Sequence, residues 1–87
     1  MKRYQHYIGG QWVDPVSGEW FDSVNPYTGN VWAKIAKGSA ADVDHAVASA
    51  KNAFESGWAD VKPTERGRLL YKLADLIERD AQRLGEI

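Results

Sequence analysis

The chain is expected to open with antiparallel strands and to continue as two to three amphipathic helices. Two observations lead there. Up to Gly38 the apolar residues come in short aromatic and β-branched runs cut by turn clusters, and from Ser39 onward they recur at helical spacing. Residues 1–38 are therefore strand-rich and residues 39–87 helical. A third observation concerns closure: 44% of the 87 residues are apolar, as in an ordinary globular chain. So short a chain buries little more than half of its unfolded surface, and with no cysteine it has no disulfide to help.

In the first half, Tyr7-Ile8-Gly9-Gly10-Gln11-Trp12-Val13 has the composition of a strand. Asp14-Pro15 and Ser17-Gly18 interrupt it, since Pro fixes φ and Gly supplies positive φ. Trp20-Phe21-Asp22-Ser23-Val24 reads as the returning strand of a hairpin with a loop of about five or six residues. Asn25-Pro26-Tyr27-Thr28-Gly29-Asn30 is a dense turn cluster. After it Val31, Ala33 and Ile35 alternate with Trp32, Lys34 and Ala36, the period of a half-buried strand, and Lys37-Gly38 ends it.

Ser39 then offers an N-cap and Asp42 the third helical position of a capping box, close to the positive end of the helix dipole. Val43, Ala46, Val47, Ala50, Ala53 and Phe54 share one face of that helix, and Gly57 closes it just before Trp58. Pro63 suits the first turn of a second helix, whose apolar face carries Leu69, Leu70, Leu73, Ala74 and Ile77 and continues to Ala81 and Leu84. Lys72 with Asp75, and Asp75 with Arg79, are spaced to pair on its outer surface. Asp80 marks either a fresh turn or a kink. Arg83-Leu84-Gly85-Glu86-Ile87 runs on in helical pattern without a cap. Strands and helices together carry more apolar surface than they can hide from one another, so the segment is expected to be an incomplete domain, one portion of a larger body.

Composition excludes several classes of function. Eleven basic and twelve acidic residues leave a net charge of −1, so no field draws phosphate backbones or an anionic membrane. No apolar run approaches the ~20 residues of a spanning helix, and Met1 to His6 is polar with no apolar stretch behind it. The expected protein is soluble and cytoplasmic, with no nucleic-acid or membrane partner. Thiol chemistry is ruled out within these residues, and GxxxxGK[ST], GxGxxG, HExxH and GxSxG are all absent.

The remaining conspicuous residues read best as scaffold. Asn25-Pro26 and Thr28-Gly29 set strand direction, and Gly9-Gly10 is taken for a bulge or bend. Trp12, Trp20, Trp32 and Trp58 lack the basic patch of a base-stacking groove and are expected to pack against further structure. His6 is expected to be exposed, and His45 to form a solvated surface pair with Asp42. Glu65, Arg66 and Arg68 read as a structural ion-pair cluster, and Gly67 as a mark of close packing.

Four segments, in order and at consistent spacing, resemble the amino-terminal region of the NAD(P)-dependent aldehyde dehydrogenase superfamily over almost the whole chain. They are Tyr7-Ile8-Gly9-Gly10-Gln11-Trp12; Asn25-Pro26-Tyr27-Thr28-Gly29; Asp42-Val43-Asp44-His45-Ala46-Val47 leading to Ala50, Ala53, Phe54 and Trp58; and Glu65-Arg66-Gly67-Arg68-Leu69-Leu70-Tyr71-Lys72-Leu73-Ala74-Asp75-Leu76-Ile77-Glu78. Asn30, where an acidic residue is common, and Lys62, where a small capping residue is common, depart from the pattern and bear on local capping.

The resemblance implies an intact α/β enzyme, aldehyde dehydrogenase-like, with a doubly wound nucleotide-binding domain on which this segment packs. It implies oxidation of a small-molecule aldehyde to a carboxylate with NAD or NADP. A cysteine thiolate attacks the carbonyl, hydride passes to the nicotinamide, a glutamate assists hydrolysis, and an asparagine amide with a backbone N–H holds the oxyanion. All these groups lie further along such chains, so no catalytic residue and no cofactor-binding residue is expected between Met1 and Ile87. One position carries over: a monovalent cation, K+ or Na+, held by backbone oxygens of Ser23 and Val24 and by an acidic residue past Ile87. The implied partners are the remainder of the same polypeptide and further copies in a homodimer or homotetramer. A CoA-acylating semialdehyde dehydrogenase of the same superfamily and a free-standing, non-enzymatic helical interaction module are the alternatives.

Overall fold

A computed structural model describes residues 1–87, which form two compact units, Met1–Glu55 and Ser56–Ile87. In the first, five short strands precede a helix: β1 (Lys2–Tyr4), β2 (His6–Ile8), β3 (Gln11–Val13), β4 (Trp20–Val24), β5 (Val31–Ala36) and α1 (Ala40–Glu55). β5, the longest strand and the one with the clearest alternation, lies in the middle of a three-stranded sheet. It pairs antiparallel with β4 and parallel with β1, and it carries the buried apolar residues Ala33 and Ala36.

The β4–β5 turn is built by the Asn25–Asn30 cluster. The Asn25 side-chain oxygen accepts from the Tyr27 N–H at 2.9 Å, the Asn25 carbonyl accepts from Gly29, and Gly29 sits at φ 74°. An Asx turn followed by a left-handed glycine reverses the chain there without strain.

Two strand assignments are corrected. Tyr7–Val13 is not one strand with a bulge. It folds back on itself at Gly9-Gly10, so that β2 and β3 form their own two-stranded hairpin in the register His6↔Val13, Tyr7↔Trp12 and Ile8↔Gln11. Gly9 at φ 62° and Gly10 at φ 78° are both left-handed, as a two-residue type I′ turn requires, and that turn matches the natural twist of the strands. It follows that β4 returns along β5 and not along β3. The polar opening residues Lys2–Tyr4, whose composition does not mark a strand, fill the other side of β5. Tyr4 lies 5.8 Å from the Trp32 ring, and the Arg3 guanidinium sits 5.1 Å over Trp20, so aromatic contacts secure a strand that its own composition does not announce.

The second unit holds a 3-10 turn (Trp58–Asp60), α2 (Pro63–Arg79) and α3 (Ala81–Glu86). Pro63 occupies the first turn of α2, and Lys62 supplies no side-chain cap, in keeping with its departure from the usual small residue. Asp80 both ends α2 and begins α3, so it marks a fresh helix. Glu65 and Arg68 pair at 3.2 Å, and Arg66 donates to the Val61 carbonyl at 2.9 Å. The spaced pairs Lys72–Asp75 and Asp75–Arg79 do not form. Arg79 turns to Asp80 with two bonds of 3.1 Å, because the forked guanidinium finds a two-pronged carboxylate one residue away.

Candidate functional site

Ser23 and Val24 lie at the end of β4, an edge strand whose outer row of backbone groups has no sheet partner. Ser23 pairs with Ala33 and Val24 with Val31, so the register steps over Trp32 and a bulge falls at this point. Bulges re-aim backbone groups, and hard oxygens are what K+ or Na+ prefers, so the donors fit in kind. They fall short in number. The neighbouring carboxylate, Asp22, is engaged by the Lys34 ammonium at 2.6 Å, and no three His, Cys, Asp or Glu side chains converge anywhere. Two carbonyls and a hydroxyl make part of a coordination shell.

The most developed polar constellation is elsewhere, at the start of α1. Asp42 is buried at 5% exposure, unusual for a carboxylate. One of its oxygens accepts from the Ser39 backbone N–H and from the Ser39 hydroxyl, both at 2.9 Å, while the Asp42 N–H reaches the Ser39 oxygen at 3.4 Å. The capping box expected from Ser39 and Asp42 is therefore present. Its second oxygen accepts from the Val16 N–H at 3.0 Å, which ties down the loop after the buried Pro15. These backbone bonds, from Ser39 first and Val16 next, hold the Asp42 carboxyl at about 2 against an ordinary 3.8. Burial opposes them; the Ser39 hydroxyl and the nearby His6 assist.

Two expectations about histidine are corrected here. Asp42 takes His6 and not His45 as its neighbour, with His6 Nε2 3.6 Å from the carboxylate. His6 is half-buried, its Nε2 is shielded from water, and that nitrogen has no hydrogen-bond partner. β2 lies against the start of α1, where His6, Tyr7 and Ile8 share a hollow with Asp42, Val43 and Ala46. Nothing in the local sequence relates positions 6 and 42.

Tyr7 and Trp12 stack across the hairpin at 4.7 Å. Trp12 is 64% exposed, and Trp58 and Trp32 are also open to solvent. Gly67 has nothing within 4 Å of where a Cβ would stand, so no close packing occurs there within the chain.

With the fold in place, comparison with known proteins fits the same frame. The model of the aldehyde dehydrogenase family matches residues 12–87. Human mitochondrial 10-formyltetrahydrofolate dehydrogenase is 47% identical over 85 residues, covering 97% of this chain and 9% of that protein. Rat mitochondrial aldehyde dehydrogenase is 47% identical, over 95% of this chain and 16% of its own. Among solved structures, PnpE in complex with nicotinamide adenine dinucleotide superposes with a TM-score of 0.91 at 48% identity, covering 95% of this chain and 17% of that one. The chain belongs to the aldehyde dehydrogenase family. It spans less than a fifth of the length of each of these relatives.

Proposed function

We propose that these residues are the N-terminal structural part of an NAD-dependent aldehyde dehydrogenase that oxidises a small-molecule aldehyde to a carboxylate, and that they supply no reacting group themselves. The observation that carries this reading is the match to the family over residues 12–87 in a stretch that contains no cysteine. Family chemistry needs a thiolate, so it resides in the remainder of the polypeptide. The nucleotide contacts are assigned there as well. The five strands here present neither a glycine-rich phosphate loop nor a parallel strand–helix–strand crossover in which a dinucleotide would lie.

The segment's task is then to cover and orient. Its two units expose apolar stripes suited to packing against the nucleotide-binding portion. Within the same reading, the carbonyls of Ser23 and Val24 contribute to a K+ or Na+ site that an acidic residue from beyond Ile87 completes, and the enzyme works as a homodimer or homotetramer.

Steady-state NADH formation by the full-length protein, with simple aldehydes and with or without CoA, tests the assignment. Turnover with NAD that needs no CoA is expected. Turnover only with CoA would move the enzyme to the acylating branch, turnover only with NADP would change the acceptor, and none with either nucleotide would overturn the reading. Thermal melts of the full-length protein in K+, Na+ and a bulky organic cation test the ion site, since only a bound metal raises Tm selectively.

A further inference from the structure

Four of the five arginines have an evident partner. Arg68 pairs with Glu65 at 3.2 Å, Arg79 and Arg83 share Asp80, and Arg3 lies over the Trp20 ring. Arg66 has neither a carboxylate nor a ring. Its single bond runs to the Val61 carbonyl at 2.9 Å, so most of its N–H donors are uncommitted within the chain.

The place of this arginine on its helix gives that a meaning. Arg66, Leu69, Leu70, Leu73 and Ile77 recur at i, i+3, i+4, i+7 and i+11, and Arg66 falls near the middle of the face they form. Arg68, Lys72, Asp75 and Arg79 occupy the opposite side. The leucines and Ile77 are all open to solvent, and beside them Gly67, Leu70, Tyr71 and Ala74 line a hollow of about 270 Å³. A contiguous apolar face of this kind marks a packing surface. Whatever covers the leucines also closes over the half-buried guanidinium between them. The bond to Val61 holds its head against the start of α2, which opposes an escape to water. A guanidinium enclosed without an opposite charge is strongly destabilising, so the cover has to bring one.

We propose that this face of α2 docks an apolar segment from the remainder of the same polypeptide, and that the segment sets an Asp or Glu carboxylate on Arg66 as a buried ion pair. The proposal rests on the reading that these residues are part of a longer enzyme, and it names the chemistry of one contact inside it. Charge complementarity argues for the acid. The planar fork of a guanidinium takes two carboxylate oxygens side by side, and the first turn of α2 adds the positive end of the helix dipole. Glu65, the acid in that turn, is already taken by Arg68. Length argues for the same polypeptide: the fold recurs in PnpE at a TM-score of 0.91 and covers 17% of that chain. A tethered cover also acts at high effective concentration, which favours it over a second copy.

Thermal melts of the full-length protein test the pair. Arg66→Gln keeps a donor for the Val61 carbonyl but leaves the carboxylate buried and uncompensated, so Tm should fall by about 5 °C or more. Arg66→Lys restores the charge and should recover part of that loss. Arg68→Gln, on the solvent side, should melt within about 1 °C of wild type. Arg66→Gln melting like the wild type, or Arg66→Lys faring no better than Arg66→Gln, would defeat the pair. A crystal structure of the wild type serves even if the variants fail to fold. It should show an Asp or Glu of the same chain against the guanidinium; an acid reaching in from another subunit, or no acid at all, sinks the proposal. Failure of the enzyme reading is seen separately, as a wild type that forms no NADH. An active wild type without a carboxylate at Arg66 defeats the ion pair and leaves that reading standing.

Discussion

Asp42 joins three parts of the chain that are remote in sequence: its own helix cap at Ser39, the loop at Val16, and β2 through His6. Half of this was open to inspection in advance, because a capping box is a local pattern with Ser39 and Asp42 three positions apart. The rest depends on how the chain turns back at Gly9-Gly10 and at Gly18, and no spacing rule reaches that far. Replacing Asp42 with Asn puts a second donor where donors already point, so a thermal melt at neutral pH should fall by several degrees. The acid limb of the wild type has a defined sign. The folded-state pKa, about 2, lies below the ordinary 3.8, so the stabilising contribution is complete above about pH 4 and fades as pH drops toward 2. In Asp42→Asn that acid-dependent portion of the melt should be missing, and an identical acid limb in both proteins would refute the assignment.

β4, β5 and α1 follow from their residues as separate elements, as composition, alternation and capping signal predict them within a residue or two, although the partner of β4 does not. The hairpin at Gly9-Gly10 is hidden in the sequence because aromatic and β-branched residues on both sides of two glycines look like one strand until the turn is allowed for. The positive φ of Gly10 leads to a direct check. Gly10→Ala should cost about 1 kcal/mol, since a Cβ is disfavoured in the left-handed region and nothing nearby compensates. In α2 the sign reverses. Gly67 is an interior helical residue with open space where a Cβ would go, so Gly67→Ala should stabilise the helix of the 87-residue chain by about 1 kcal/mol, seen as increased helical circular dichroism. A loss of helicity would mean that Gly67 is closely packed after all. The division of α2 from α3 falls at Asp80, whose carboxyl is held below its ordinary range first by the bonds from Arg79, against some desolvation, and then by Arg83. Sequence spacing pointed to a break there without deciding its form, because a charged side chain can cap a helix or simply face solvent.

The chain taken whole is defined by what it leaves uncovered. On α1, Val47 and Phe54 are more than half exposed, and on α2 Leu70 is at 65% and Tyr71 at 80%. Apart from Pro15, the buried apolar residues amount to Ala33 and Ala36. So much open apolar surface favours association, and the isolated 87-residue chain should bind an apolar dye and sediment as more than a monomer; a dye-silent, monodisperse monomer with a sharp melt would contradict this. Calorimetry of the same chain with NAD should give no binding heat, and a micromolar constant would return nucleotide contacts to this segment. The succession of a strand-rich half and a helical half, the cap of α1, the Asn25–Asn30 turn and family membership could be read directly from the residues, because each rests on neighbours a few positions apart. Which strands pair, that β1 lies parallel to β5, and that His6 rather than His45 faces Asp42 emerged from the folded chain alone. Those contacts join residues separated by many others, and they are selected by the combined geometry of several turns that no single stretch of sequence encodes.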